Sequence, residues 1–117
     1  MATSTRPARK FGRRNDPRVL ILTSLASGPK HGYALARDIE EFAGVRLGPG
    51  TLYGAISHLE ERGLIEPAGQ HHRRRPYRLT ADGRAELATT ARSLDAIAAE
   101  AAERLGIPLP PRPSWAL

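Results

Sequence analysis

Apolar residues recur every three or four positions up to about Gly63, then give way to two short alternating runs before helical spacing returns. Asp16-Pro17 reads as a helix start, an acidic cap followed by proline at the first helical position. Val19, Leu20, Leu22, Leu25 and Ala26 supply a buried stripe, and Gly28-Pro29 ends it. A second helix is predicted from His31-Gly32, with Leu35, Ile39 and Phe42 in helical register and Gly44 as its stop. The third occupies "GPGTLYGAISHLEERG", Gly48 to Gly63. On a 3.6-residue wheel Leu52, Ala55, Ile56 and Leu59 share one side, and Gly50, Gly54, Ser57, His58 and Glu61 the other.

Leu64-Ile65-Glu66 and Tyr77-Arg78-Leu79 read as two strands joined by the hairpin tip "PAGQHHRRRP". Pro67 and Pro76 cannot donate ladder hydrogen bonds, so both strands should be short or at an edge. Thr80 caps a long final helix from Ala81 to Leu105, which Gly106 and Pro108 end. Within it Leu87, Ala91, Leu94, Ala98, Ala101 and Leu105 follow the a/d rhythm of a coiled-coil seam, with Ile97 beside it. A lone helix would leave that seam in water, so a homodimer is expected. The predicted organisation is a disordered basic arm over 1–15, three helices and a hairpin over 16–80, a dimerisation helix over 81–106 and a proline-rich tail over 107–117.

Charge sharpens this picture. The net +6 is concentrated in two segments, +5 over residues 1–18 and +4 over residues 71–80, while 19–70 and 81–105 each carry −2. Clustered positive charge is the electrostatic footprint of a nucleic-acid binder, and Arg73, Arg74, Arg75 and Arg78 place it on the hairpin. A charged face kept for solubility is the competing reading. The N-terminal "RPARKFGRR" reads either as an arm tracking the backbone or minor groove, or as a solubilising extension. The tail's "PLPPRP" reads as a solvated end ahead of a polyproline ligand.

Other chemistries fit poorly. There is no cysteine, which removes disulfides and thiolate metal sites and suits a reducing compartment. No apolar run approaches the ~20 residues of a membrane span, and the first residues lack the apolar middle of a secretory signal, so a cytoplasmic protein is expected. Gly48, Gly50 and Gly54 form only a partial dinucleotide fingerprint, without the preceding strand it requires. His71 and His72 would point to opposite faces of a strand and chelate poorly, and no Ser/His/Asp arrangement suggests a nucleophile. Neither an enzyme nor a cofactor is expected. Instead, Gly50 removes bulk at the end of the third helix that would meet a surface, where free backbone N–H groups favour a phosphate. Tyr53 has two readings, a core-edge tyrosine or a ring half-buried with its hydroxyl kept for a phosphate oxygen. Ser57 and His58 lie on the exposed side of the third helix, one turn in from its N-terminus.

Three helices followed by a basic hairpin is the order of a winged helix-turn-helix. In order and spacing, "ILTSLASGPKHGYALARDIEE", "GPGTLYGAISHLEERGLIE" and "RRRPYRLTADGRAEL" resemble the signature segments of the PadR family of bacterial transcriptional regulators, most specifically at Thr51-Leu52-Tyr53 and Leu79-Thr80. The resemblance implies a mainly α fold with a small β-hairpin, a winged helix-turn-helix plus a long C-terminal dimerisation helix as in the family's short branch. It also implies a homodimeric repressor of double-stranded DNA, with the third helix (Gly50, Thr51, Tyr53, Gly54, Ser57, His58) in the major groove and the wing on the flanking backbone. Gly54 stands where many relatives place proline, and Pro76 replaces a usual aromatic. Some relatives accommodate flat aromatic effectors at the dimer interface, which leaves a small-molecule-sensing module as the alternative function. The final helix has no aromatic residue on which such a ligand would stack.

Overall fold

Asp16 starts the first helix, its Oδ1 accepting the backbone N–H of Arg18 at 3.0 Å, and Pro17 occupies the first helical position. This computed structural model describes residues 16–69 and 75–109. Its elements, in chain order, are α1 (Pro17–Leu25), α2 (Gly32–Ala43), α3 (Pro49–Glu61), β1 (Ile65–Pro67), β2 (Tyr77–Leu79) and α4 (Ala81–Leu105). The N-terminal arm through residue 15, the hairpin tip from 70 to 74 and the tail from 110 lie outside the described residues.

α1 packs against α2, α3 and β2 together, which makes its buried surface wider than a single stripe. Leu20, Ile21, Leu22, Ser24 and Leu25 are buried. Val19 is half-buried and Ala26 exposed, so the expected stripe gains Ile21 and Ser24 and loses Ala26. Leu35 and Ile39 of α2, Leu52, Ile56 and Leu59 of α3, and Leu64, Ile65 and Leu79 from the hairpin complete one core. Phe42, placed in register with Leu35 and Ile39, ends 47% exposed at the end of α2.

Burying Ser24 requires partners. Its Oγ donates to Asp38 Oδ2 at 2.6 Å, and the Lys30 ammonium donates to the Ser24 carbonyl at 2.6 Å and to Ser27 Oγ at 2.8 Å. This polar knot holds the turn between α1 and α2. From that turn Lys30 pairs with Tyr77 in both directions, its N–H donating to the Tyr77 carbonyl at 3.1 Å and its carbonyl accepting the Tyr77 N–H at 2.9 Å.

The hairpin is antiparallel, with Ile65 opposite Leu79, Glu66 opposite Arg78 and Pro67 opposite Tyr77. The first strand therefore runs one residue later than its apolar pattern suggests. Pro67 is tolerated there because Tyr77 commits both backbone groups to Lys30. Gly63, at φ 75°, makes the left-handed turn that carries the chain from α3 into β1.

Thr80 joins hairpin to helix. Its Oγ1 donates to the Gly63 carbonyl at 2.7 Å and accepts the Gly83 N–H at 3.0 Å, capping α4. The described residues divide into two compact units between Leu87 and Ala88. The first unit contains the three helices, the hairpin and the start of α4, with Leu87 partly buried against its core. The second is the rest of α4 and the residues after it.

Gly83 is buried in the first turn of α4, and a Cβ there would lie 2.9 Å from the Leu64 carbonyl carbon. That carbonyl is held in place, since it accepts the Thr80 N–H at 3.1 Å. Gly83→Ala is predicted to destabilise the fold by roughly 1–3 kcal/mol, the usual cost of overpacking. Urea denaturation checks this, and an unchanged midpoint would show that the Leu64–Gly83 approach is looser than described.

Candidate nucleic-acid interface

α3 begins at Gly48, which has extended backbone and offers no side chain to cap the helix, and Pro49 fills the first helical position. Leu52, Ile56 and Leu59 are buried, which turns the opposite face outward. Gly50, Thr51, Tyr53, Gly54, Ser57 and His58 are all exposed. Gly50 and Gly54 carry no positive φ, and a Cβ at either would meet nothing within 4 Å. The packing of this chain thus gives no reason for glycine at either position, although each costs a helix roughly 0.5–1 kcal/mol relative to alanine. Together with Ser57 they leave a helix face nearly bare of side chains.

The two flanks of that face are tied to the neighbouring helices. On one side Tyr53 lies across the start of α2, where a Cβ on Gly32 would sit 2.8 Å from the ring's Cζ. The ring is 53% exposed, so Tyr53 is edge-packed with an accessible surface, a placement compatible with both readings of this residue. On the other side His58 Nε2 lies 3.5 Å from Arg18 Nη1. Arg18 is itself held by Asp16, through Nε to Oδ1 at 3.2 Å and Nη2 to Oδ2 at 3.1 Å. The hydrogen bond to Asp16, followed by the attraction of its charge, raises the Arg18 pKa above its ordinary value.

The wing is anchored at its base by the Lys30–Tyr77 pairing and by the Ala68 N–H, which donates to the Pro76 carbonyl at 2.8 Å. Arg75 and Arg78 are exposed. Arg78 Nε donates to Glu66 Oε2 at 2.9 Å across the strand pair, leaving part of the guanidinium available to a second acceptor. Arg73, Arg74, His71 and His72 lie outside the described residues. Among the described residues no group of three or more histidines and carboxylates is placed to hold a metal ion, and no helix is long and apolar enough to cross a membrane.

A profile of the transcriptional regulator PadR-like family matches residues 21–89, which span α1 to the early part of α4. The chain belongs to the PadR family. It is 36% identical over 86 residues to the transcriptional regulator Rv3488 of Mycobacterium tuberculosis, covering 71% of this chain and 79% of that one. It is also 48% identical over 82 residues to an uncharacterised 37.1 kDa protein in transposon TN4556 of Streptomyces fradiae, of which it spans only 24% of the length. Among solved structures, a PadR-like regulator from Bacillus cereus superposes with a TM-score of 0.69 at 18% identity, covering 80% of this chain and 94% of that chain. A PadR family regulator from Clostridium difficile gives 0.67 at 23% identity, covering 76% and 96%. These structural likenesses establish the winged-helix fold with its long C-terminal helix. PadR membership places the chain in a family of transcriptional regulators, which are not enzymes.

Two residues beside the interface escape sequence reasoning. Arg18 counts there only as part of the basic N-terminal segment, because its partner is 40 residues away in the chain. Gly32 reads as a helix start, with no local signal that Tyr53 lies over it. If the bare face of α3 serves an external surface, Gly54→Ala should raise stability by roughly 1 kcal/mol, the intrinsic helix preference. The same substitution should weaken binding to duplex DNA. Thermal melts and a fluorescence-anisotropy titration test the two halves together, and a variant that binds as tightly as wild type would detach Gly54 from the interface.

Proposed function

We propose that this PadR protein is a repressor that binds a palindromic operator as a homodimer, with α3 in the major groove and the wing on the flanking phosphates. The observation that carries the reading is the face of α3, where two glycines without a packing role adjoin Ser57 and leave the backbone free to approach a large surface. Such a face suits a groove lined by base edges, and the uncapped helix N-terminus suits a phosphate beside it. Arg75 and Arg78, with Arg73 and Arg74 in the same segment, supply positive charge for the backbone.

The dimer reading draws on α4. Leu94 is 46%, Ile97 64% and Leu105 70% exposed in the single chain. With Ala91, Ala98 and Ala101 they form an apolar seam that a second copy would cover, while Leu87 at its start already packs on its own core. A two-fold dimer carries two recognition helices, and two-fold symmetry in the protein is matched by a palindrome in the DNA. Repression, the mode the family resemblance implies, requires only that an occupied operator be closed to the transcription machinery.

Three experiments test the proposal. On a duplex recovered by selection from a random pool, Ser57→Ala with His58→Ala should cost roughly 1–3 kcal/mol and should cost much less on random DNA. Alanine at Arg73 and Arg74 should instead lower both affinities. If a dimer neutralises about 6–10 phosphates, the log–log salt slope lies near −5 to −9, and removing wing arginines flattens it. A Ser57/His58 variant that keeps the wild-type affinity ratio would contradict readout through these side chains. Sedimentation of Leu94→Asp should give a monomer where the wild type is a dimer at micromolar concentration, and an unchanged mass would contradict the seam.

A further inference from the structure

Nothing in the family assignment concerns the Asp16–Arg18–His58 chain beside the recognition helix. We propose that Arg18 selects the ring tautomer of His58 and so makes His58 a hydrogen-bond donor toward the bases, an inference that rests on α3 entering the major groove. A guanidinium has five N–H donors and no acceptor. Its Nη1 lies 3.5 Å from His58 Nε2, and a hydrogen bond between the two requires that nitrogen to present its lone pair. A neutral imidazole then carries its single proton on Nδ1.

Asp16 makes the arrangement directional. By taking Nε at 3.2 Å and Nη2 at 3.1 Å, its carboxylate fixes the guanidinium plane and leaves Nη1 toward α3. Arg18 thus acts as a positioning residue, through His58. The consequence is a specificity that histidine alone lacks, since a free imidazole can donate or accept. A ring fixed as an Nδ1–H donor pairs with purine N7, guanine O6 or thymine O4, and cannot accept from the amino groups of adenine or cytosine. Guanine, with two adjacent acceptors, offers such a donor the best target.

The test uses the full chain with ¹⁵N-labelled histidine. The chain has four histidines, so the His58 ring signals are assigned by their loss in His58→Ala. Ring ¹⁵N shifts of the free wild type should report the Nδ1–H tautomer at His58, and Arg18→Met should move the ring toward the Nε2–H form. A purely structural role for Arg18 would not produce that change, and the melting temperature of the variant controls for folding. An Nε2–H ring in the wild type, or an Arg18→Met spectrum identical to wild type, overturns the relay.

Binding to a selected duplex carrying single 7-deazapurine, 2-aminopurine (which lacks guanine O6) or thymine O4-altered substitutions then tests the donor. Loss of one base acceptor should weaken wild type roughly ten-fold or more and leave His58→Ala indifferent at that position. An Nδ1–H ring without sensitivity to any base acceptor overturns the donor role and His58's share of the proposed interface. It leaves the wing and Ser57 as they stand. Failure of the wild type to bind any duplex would instead count against the interface as a whole.

Discussion

A nine-residue helix that buries five of its side chains has to be surrounded, and that requirement organises the first unit. α1 is enclosed by α2, α3 and the second strand, so each of these is positioned by what it must cover. α3 spends Leu52, Ile56 and Leu59 on that task, and the direction of its outer face follows from their burial. The wing is placed by the same turn that ends α1. Lys30 both closes the polar knot around Ser24 and pairs its backbone with Tyr77. The two parts of the proposed interface are therefore referenced to one short helix, which fixes α3 and the wing in a set relation.

Much of this was legible in the residue pattern because the signals are local. Proline after an acidic cap at Asp16-Pro17, the 3.6 period of α3 and the threonine cap at Thr80 each act within a few residues. What the pattern could not carry is long-range. A periodicity argument assumes one buried side per helix, and it failed for α1 because three elements converge there, burying Ile21 and Ser24 as well. The first strand spans Ile65–Pro67, one residue later than its alternating pattern, and its register is carried by backbone bonds between residues far apart in the chain, Thr80 N–H to the Leu64 carbonyl and Ala68 N–H to the Pro76 carbonyl.

The candidate interface divides along the same line. The exposure of Gly50, Gly54, Ser57 and His58 followed from the wheel. The ties at its flanks, Tyr53 over Gly32 and Arg18 beside His58, join residues far apart in the chain and became visible only in the folded arrangement. Charge counting has a similar limit. It counted Arg78 within the +4 segment 71–80, whereas Glu66, outside that segment, faces it across the hairpin at 2.9 Å. An exposed pair of this kind contributes little to stability, so its effect is on the charge the wing presents.

The central claim is that the outer face of α3 and the wing meet DNA as one surface. Backbone amide NMR during titration with a duplex recovered by selection measures that surface residue by residue. The account predicts the largest shifts at Gly50 to His58 and at Arg75 to Arg78, with the outer face of α2 around Arg37 and Glu41 little changed. Shifts concentrated on α2 or on α4 beyond Leu87, with α3 unaffected, would contradict it.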